Sequence, residues 1–215
     1  MAGLNGTGLV GDDLWLLGHD ERNGRRHVPA RDLGLGLAGA LLGELALQGA
    51  IRVRGGVVIP VRTLLPADDD VAGKVLKAML AEREHLPVRD WLLFLARTAE
   101  ADVGSRLAAA GFVTQTRSSW WGRAPRLVPV DPDSAFAPLL RVKAAVDARG
   151  PVPAGHVLLG RLATACGLSH QISLYLPPGA RRHLDQAASY LDPGLRELIV
   201  TTQTTVDGAV LTQRT

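Results

Sequence analysis

The chemistry this sequence offers lies mainly in its arginines. Of its 24 basic residues, only Lys74, Lys77 and Lys143 are lysine. A guanidinium presents a planar fork of donors that grips phosphate through two parallel hydrogen bonds, which an ammonium cannot do. Arg25 and Arg26, followed by His27 and Arg31, crowd one polar stretch, while Arg117, Arg123 and Arg126 flank the adjacent Trp120 and Trp121. Tryptophan beside arginine at a loop tip has the amphipathic character favoured at a membrane headgroup layer. High-GC codon bias accounts for much of the arginine excess, and a lone arginine is commonly an acid-paired surface residue. Only arginines that share a face make a site.

Other chemistries find little support. The six histidines show no metal-ligand spacing, and His19 and His27 lie in a loop without carboxylates at helical spacing. The single cysteine, Cys166, excludes an internal disulfide and a cysteine zinc cluster, and its apolar surroundings at 157–168 predict a small buried hydrophobe. Gly34-Leu35-Gly36-Leu37 precedes no Lys-Ser or Lys-Thr and so is no phosphate loop. Glu44, a lone acid on an apolar helix, is expected to be satisfied by a neighbouring arginine or a backbone amide. No catalytic residue, metal or cofactor is assigned, and the protein is expected not to be an enzyme.

At 215 residues with 47% apolar content, the chain has enough material for one well-filled core, so residues 1–215 are read as one domain. The N-terminus reaches Asp12 and Asp13 without a basic region before an apolar stretch, which predicts no secretory signal and a cytoplasmic protein. The nearly uncharged run at 33–51 contains Glu44, Gln48 and several glycines and is read as a buried core helix, not a membrane span.

The elements that must position these residues follow from periodicity. An apolar opening at Leu14–Leu17 leads into a polar loop at 19–27. Asp32 is placed to cap the next helix, where Leu33, Leu37, Leu41 and Leu45 recur on one face while apolar residues fill the others. Alternation about Gly55-Gly56 predicts a short hairpin. Val71, Val75, Leu76, Met79 and Leu80 mark an amphipathic helix, and Pro87 opens another carrying Trp91, Leu92 and Leu95. A short helix at 102–111 then precedes two β-type runs, 112–116 and 126–130, which enclose the tryptophan tip. Helices are expected at 138–149, 154–168 and 179–191, with Asp192-Pro193 starting a fourth, and the β-branched tail at 200–206 reads as frayed helix or strand. The fold class is therefore mainly α, with a central buried helix bundle surrounded by further helices and a projecting β-hairpin.

Several motifs in order resemble the Golgi phosphoprotein 3 family, in a form expected of a bacterial member. They include Asp12-Asp13-Leu14-Trp15-Leu16-Leu17 with its charged loop at 20–24, and the run Leu42-Gly43-Glu44-Leu45-Ala46-Leu47-Gln48-Gly49-Ala50-Ile51, similar to the signature L-x-E-L-A-L-x-G-x-[IL]. Pro87-Val88-Arg89-Asp90-Trp91, the stretch Leu107 through Gly111-Phe112-Val113, and the apolar helix at 157–168 keep the register from about residue 9 to about residue 191. The resemblance implies a helical fold with a hairpin and a peripheral membrane adaptor. Eukaryotic relatives bind phosphatidylinositol 4-phosphate in a basic pocket of one tryptophan and several arginines and retain glycosyltransferases at the Golgi. In register, that tryptophan falls at Pro29 and the arginines at Ala38, Arg97 and Glu100.

Arg97, Arg31, Arg25, Arg26 and Arg106 are accordingly expected to bind an anionic phospholipid headgroup, phosphatidylinositol 4-phosphate-like by resemblance. Trp120, Trp121, Arg117 and Arg123 are expected to contact a membrane, a second copy of the chain or a protein client, with internal packing of the rings the other reading. The alternative function is a winged-helix nucleic-acid binder, since two helices precede an arginine-bearing hairpin. Against it, the helix at 102–110 carries one arginine among small residues, too few donors to read bases or clamp phosphates.

Overall fold

A helix that is apolar all round must be enclosed by others, and the leucine-rich stretch meets that condition at the centre of the fold. In the computed structural model, which describes residues 7–61, 70–116, 125–148 and 150–212, this stretch is α2 (Ala30–Leu47), buried continuously over 33–45. It packs against α1 (Val10–Gly18), α4 (Val88–Leu95), α5 (Ala99–Ala109), α7 (Ala154–Ala165) and α10 (Pro193–Thr212). The glycines that weaken α2 as an isolated helix let its neighbours approach. A methyl group at Gly36 would collide with Sγ of Cys166, one at Gly43 would collide with Leu158, and one at Gly39 would stand 2.8 Å from Oγ1 of Thr202. Thus α7 and α10 cross α2 at separations that side chains would forbid.

Around this bundle lie α3 (Asp70–Ala81), α6 (Ala137–Asp147), α8 (Ser169–Tyr175) and α9 (Ala180–Ala188). Two antiparallel hairpins and a single 3-10 turn at Pro132–Ala135 complete the described structure. β1 (Ile51–Arg54) pairs with β2 (Val57–Pro60) across Gly55 and Gly56, whose φ values of 62° and 80° suit the two-residue turn. β3 (Val113–Gln115) pairs with β4 (Leu127–Pro129), with Val113 opposite Pro129. The fold is mainly helical with two small strand pairs, as the sequence pattern predicts. Residues 117–124, including Arg117, Trp120, Trp121 and Arg123, lie outside the described residues.

Two local expectations change, for Asp32 and for the helix at 154–168, and two open readings are decided. Asp32 sits inside the first turn of α2 and does not cap it; the preceding position is Pro29, and an acid there still complements the helix dipole. Residues 14–17 belong to α1, every residue of which is buried. The helix expected at 154–168 ends at Ala165, because Gly167 at φ 90° turns the chain and α8 restarts it. The β-branched tail is helical: Thr201, Thr202 and Thr205 donate their hydroxyls to carbonyls four residues back, and Thr202 and Val206 are buried.

The interior also holds charge. Arg106 on α5 donates from Nε to Oδ1 of Asp12 at 2.8 Å and from a terminal nitrogen to Oε2 of Glu44 at 3.4 Å. The other oxygen of Glu44 accepts the Gly11 N–H at 2.6 Å. This satisfies Glu44 as anticipated, by an arginine and a backbone amide, and ties α1, α2 and α5 together. Arg141 on α6 pairs with Asp13 at 2.5 Å, and burial pushes the Asp13 carboxyl above the usual range despite that partner.

Candidate functional site

The C-terminal end of α1 builds one wall of a groove. Trp15 is buried, and its indole N–H donates to the backbone carbonyl of Glu100 on α5 at 3.1 Å. One turn later, the imidazole of His19 stacks on that indole with ring centroids 3.8 Å apart. Nδ1 of His19 donates to the Trp15 carbonyl at 2.7 Å, which turns Nε2 towards Oε1 of Glu100 at 3.2 Å.

The loop at 19–27 folds back on itself. Asp20 accepts backbone N–H groups from Arg22 and Asn23, and the Asp20 N–H donates to the Arg25 carbonyl. Gly24, at φ 62°, lies so close to the Leu127 carbonyl of β4 that a side chain would collide with it. That contact carries Arg25 and Arg26 to the start of β4. There Nε of Arg26 donates to both carboxylate oxygens of Glu100, at 2.7 and 2.9 Å. Burial alone would raise the Glu100 carboxyl, but the hydrogen bonds from His19 and Arg26 and the Arg26 charge outweigh it and hold its pKa below the ordinary value.

The resulting groove has a volume of about 1020 Å³ and is lined by Arg25, Arg26 and Arg31 from the first loop and α2, Arg97 and Glu100 from the α4–α5 corner, and Arg126 before β4. Trp15, His19 and Pro29 contribute its less polar wall. Five guanidinium groups therefore face one carboxylate among the described lining residues. No ion pair among the described residues engages Arg25, Arg97 or Arg126. The contrast with Arg106, Arg141 and Arg161, each paired with an acid, sets this cluster apart. A concave surface with several unneutralised arginines raises local anion concentration and supplies bidentate donors for phosphate.

Four of the five residues predicted for the headgroup, Arg25, Arg26, Arg31 and Arg97, come together in this groove. Arg106 does not. It lies six residues beyond Glu100 on the same helix, about 240° around the axis, and turns inward to Asp12 and Glu44 with a side-chain exposure of 12%. Nearness in sequence to Arg97 is the wrong guide for it. Of the positions carried over from the family pocket, Pro29, Arg97 and Glu100 line the groove, whereas Ala38 is buried within α2.

Arg126, Trp15 and His19 join the site without having been assigned to it. Only Arg126 left a signal, as a basic residue at the strand's start. His19 has a carboxylate partner after all, Glu100, supplied by a helix 81 residues away. Arg117, Trp120, Trp121 and Arg123, expected to make contacts at the hairpin tip, fall in the part of the chain outside the described residues.

The helix that a winged-helix reading would use for recognition, α5, shows Ala101, Ser105, Ala108 and Ala109 as its exposed residues, with Arg106 turned inward. It presents no basic face to a groove of DNA. Among the described residues, no three histidine, cysteine or acidic side chains are grouped to hold a metal ion. No described helix is long and apolar enough to cross a membrane. Cys166 is buried, and burial pushes its thiol up to about 12.

No curated protein matches the chain. The family model described as Golgi phosphoprotein 3 (GPP34) matches residues 10–202 of the 215, from the start of α1 to the middle of α10, and so spans every element that builds the groove. The chain belongs to the Golgi phosphoprotein 3 family.

Proposed function

We propose that this protein is a peripheral membrane-surface protein, with a binding and not a catalytic role, that takes anionic phospholipid headgroups in the arginine groove. The observation that carries this reading is the convergence of Arg25, Arg97 and Arg126, which make no ion pair among the described residues, with Arg26 and Arg31 around one cavity. Each basic residue held near an anionic surface contributes about 1 kcal/mol, so three such arginines amount to roughly 3 kcal/mol, or on the order of a hundredfold in partitioning. That strength gives reversible, salt-sensitive attachment of a cytoplasmic protein.

The segment between β3 and β4 carries Trp120 and Trp121 with Arg117 and Arg123, and it leads directly into Arg126 and Leu127, which line the groove. Tryptophan in that segment has the amphipathic ring of an interfacial anchor. A second copy of the chain or a protein client at the same tip is the competing role for that pair. Of the family's phosphatidylinositol 4-phosphate pocket positions, only Arg97 keeps its residue, so the reading commits to anionic headgroups as a class.

The test is co-sedimentation with phosphatidylcholine vesicles containing graded phosphatidylglycerol, at low and physiological salt. Binding should rise with anionic content, weaken with salt, and weaken further in a Trp120→Ser/Trp121→Ser variant. Equal binding to neutral vesicles, or none at either salt, would remove the headgroup role. Retained binding by the double variant would leave the tip to a protein contact.

A further inference from the structure

His19 stands between two acceptors. Its Nδ1 lies 2.7 Å from the Trp15 carbonyl oxygen and its Nε2 lies 3.2 Å from Oε1 of Glu100. A neutral imidazole carries one N–H, so it can donate to one of these and must turn a lone pair on the other. Glu100 does not supply the missing proton, because its bonds from His19 and Arg26 hold it as a carboxylate against the effect of burial. Both bonds therefore form together only with the imidazolium. The stack on Trp15 suits that form, since a cation over an indole face is attracted by the ring quadrupole.

The other groups around the buried ring do not answer its charge. Asp20, the next residue, turns its carboxylate to the N–H groups of Arg22 and Asn23. From α2, the apolar Leu33 packs against the adjacent Gly18. The groove that His19 lines is otherwise charged by Glu100 of α5, by Arg25 and Arg26 of the loop, and by Arg31, Arg97 and Arg126.

Resting on the headgroup reading above, we propose that His19 is a proton switch for the groove, so that an anionic headgroup binds together with a proton on His19. The Arg26 side chain is 45% exposed and can turn from Glu100 to an incoming phosphate. With His19 charged, Glu100 keeps a cationic partner when Arg26 turns. With His19 neutral, Glu100 faces a lone pair and must retain Arg26, and the groove holds one positive charge fewer. Protonation thus strengthens binding, and by linkage a bound headgroup draws a proton onto His19.

The experiment measures partitioning onto phosphatidylcholine vesicles containing phosphatidylglycerol at about pH 5.5 and about pH 8, the range in which histidine changes charge. Phosphatidylglycerol is a phosphodiester with no second proton to lose, so the vesicle charge stays constant. Wild-type binding should fall with rising pH by about fivefold more than that of His19→Asn, the effect of one charge near an anionic surface. His27→Asn, which changes an exposed histidine of the same loop outside the groove, should keep the wild-type ratio. Glu100→Gln offers an amide N–H to the neutral ring and should also flatten the pH dependence, with His19 itself unaltered. Calorimetry near neutral pH in two buffers of different ionisation heat should show proton uptake on binding by the wild type and less by His19→Asn.

An equal pH dependence in wild type and His19→Asn overturns the proposal, as do stronger wild-type binding at the higher pH, loss of the ratio in His27→Asn, or no excess proton uptake by the wild type. Absence of wild-type binding at either pH would sink the headgroup reading itself, a result distinct from binding that ignores His19.

Discussion

Replacing Arg106 with methionine removes a cation that two buried carboxylates share. Asp12 is 1% exposed and Glu44 is 3% exposed, and Arg106 reaches both across the junction of α1, α2 and α5. Methionine approximates the stem of the side chain, so the loss is chiefly electrostatic. Removing one partner of a buried ion pair costs about 3–5 kcal/mol, because the remaining charge stays desolvated. Against a total stability of roughly 5–15 kcal/mol, that is a large fraction. For a chain of this size, each kcal/mol moves Tm by about 2–4 °C, so the fall should lie between about 6 and 20 °C. Equilibrium urea unfolding followed by far-UV circular dichroism gives the free energy directly. The triple variant Asp12→Asn/Glu44→Gln/Arg106→Met, which removes all three charges of this network together, should recover much of the loss. A cost below about 1 kcal/mol for Arg106→Met, or no recovery in the triple variant, would refute the assignment of Arg106 to the interior network.

Gly36→Ala should destabilise by about 1–3 kcal/mol in the same assay, because the added methyl collides with Sγ of Cys166 and α7 must shift; Gly73→Ala, with open space around the site, should not. Cys166 should resist a thiol reagent in the native protein at neutral pH and react only on unfolding, since its thiol is pushed up to about 12; labelling at the native rate of an exposed thiol would contradict its burial. The Glu100 carboxyl has a folded pKa below its ordinary value of 4.5, so the stability it contributes is present above 4.5 and is lost as pH falls through the lower folded pKa. Hydrogen exchange in the loop at 19–27, corrected for its intrinsic pH dependence, should therefore accelerate in that acid window and be fast at all pH values in Glu100→Gln.

The central helix was legible because leucine on every face and a lone acid read the same way in sequence and in space, and Glu44 found the partners its burial requires. The first hairpin was legible because Gly55-Gly56 permits few other turns. What escaped depends on contacts between distant segments. The tail at 200–206 reads locally as either frayed helix or strand, and packing against α2 with hydroxyl bonds to preceding carbonyls decides for helix. Nothing local to His19 foretells a stack on Trp15 and a carboxylate from α5. The groove itself was half visible: Arg25, Arg26 and Arg31 announce themselves as a cluster, and Arg97 was located by family register. Arg126 entered because Gly24 admits the Leu127 carbonyl, a contact between segments 103 residues apart that no periodicity encodes. Arg106 was misplaced because chain proximity does not report helix face.

The most direct test of the account replaces Arg25, Arg97 and Arg126 together with glutamine and measures partitioning onto phosphatidylglycerol-containing vesicles at physiological salt. A control variant neutralises the exposed Arg181, Arg182 and Arg196, which lie outside the groove. Both variants lose the same net charge, so a difference between them reports the groove and not overall electrostatics. The groove variant should bind roughly a hundredfold more weakly, following about 1 kcal/mol per arginine, while the control retains most of its binding. Equal losses in the two variants, or full binding by the groove variant, would contradict the claim that this cavity is where the protein meets the membrane.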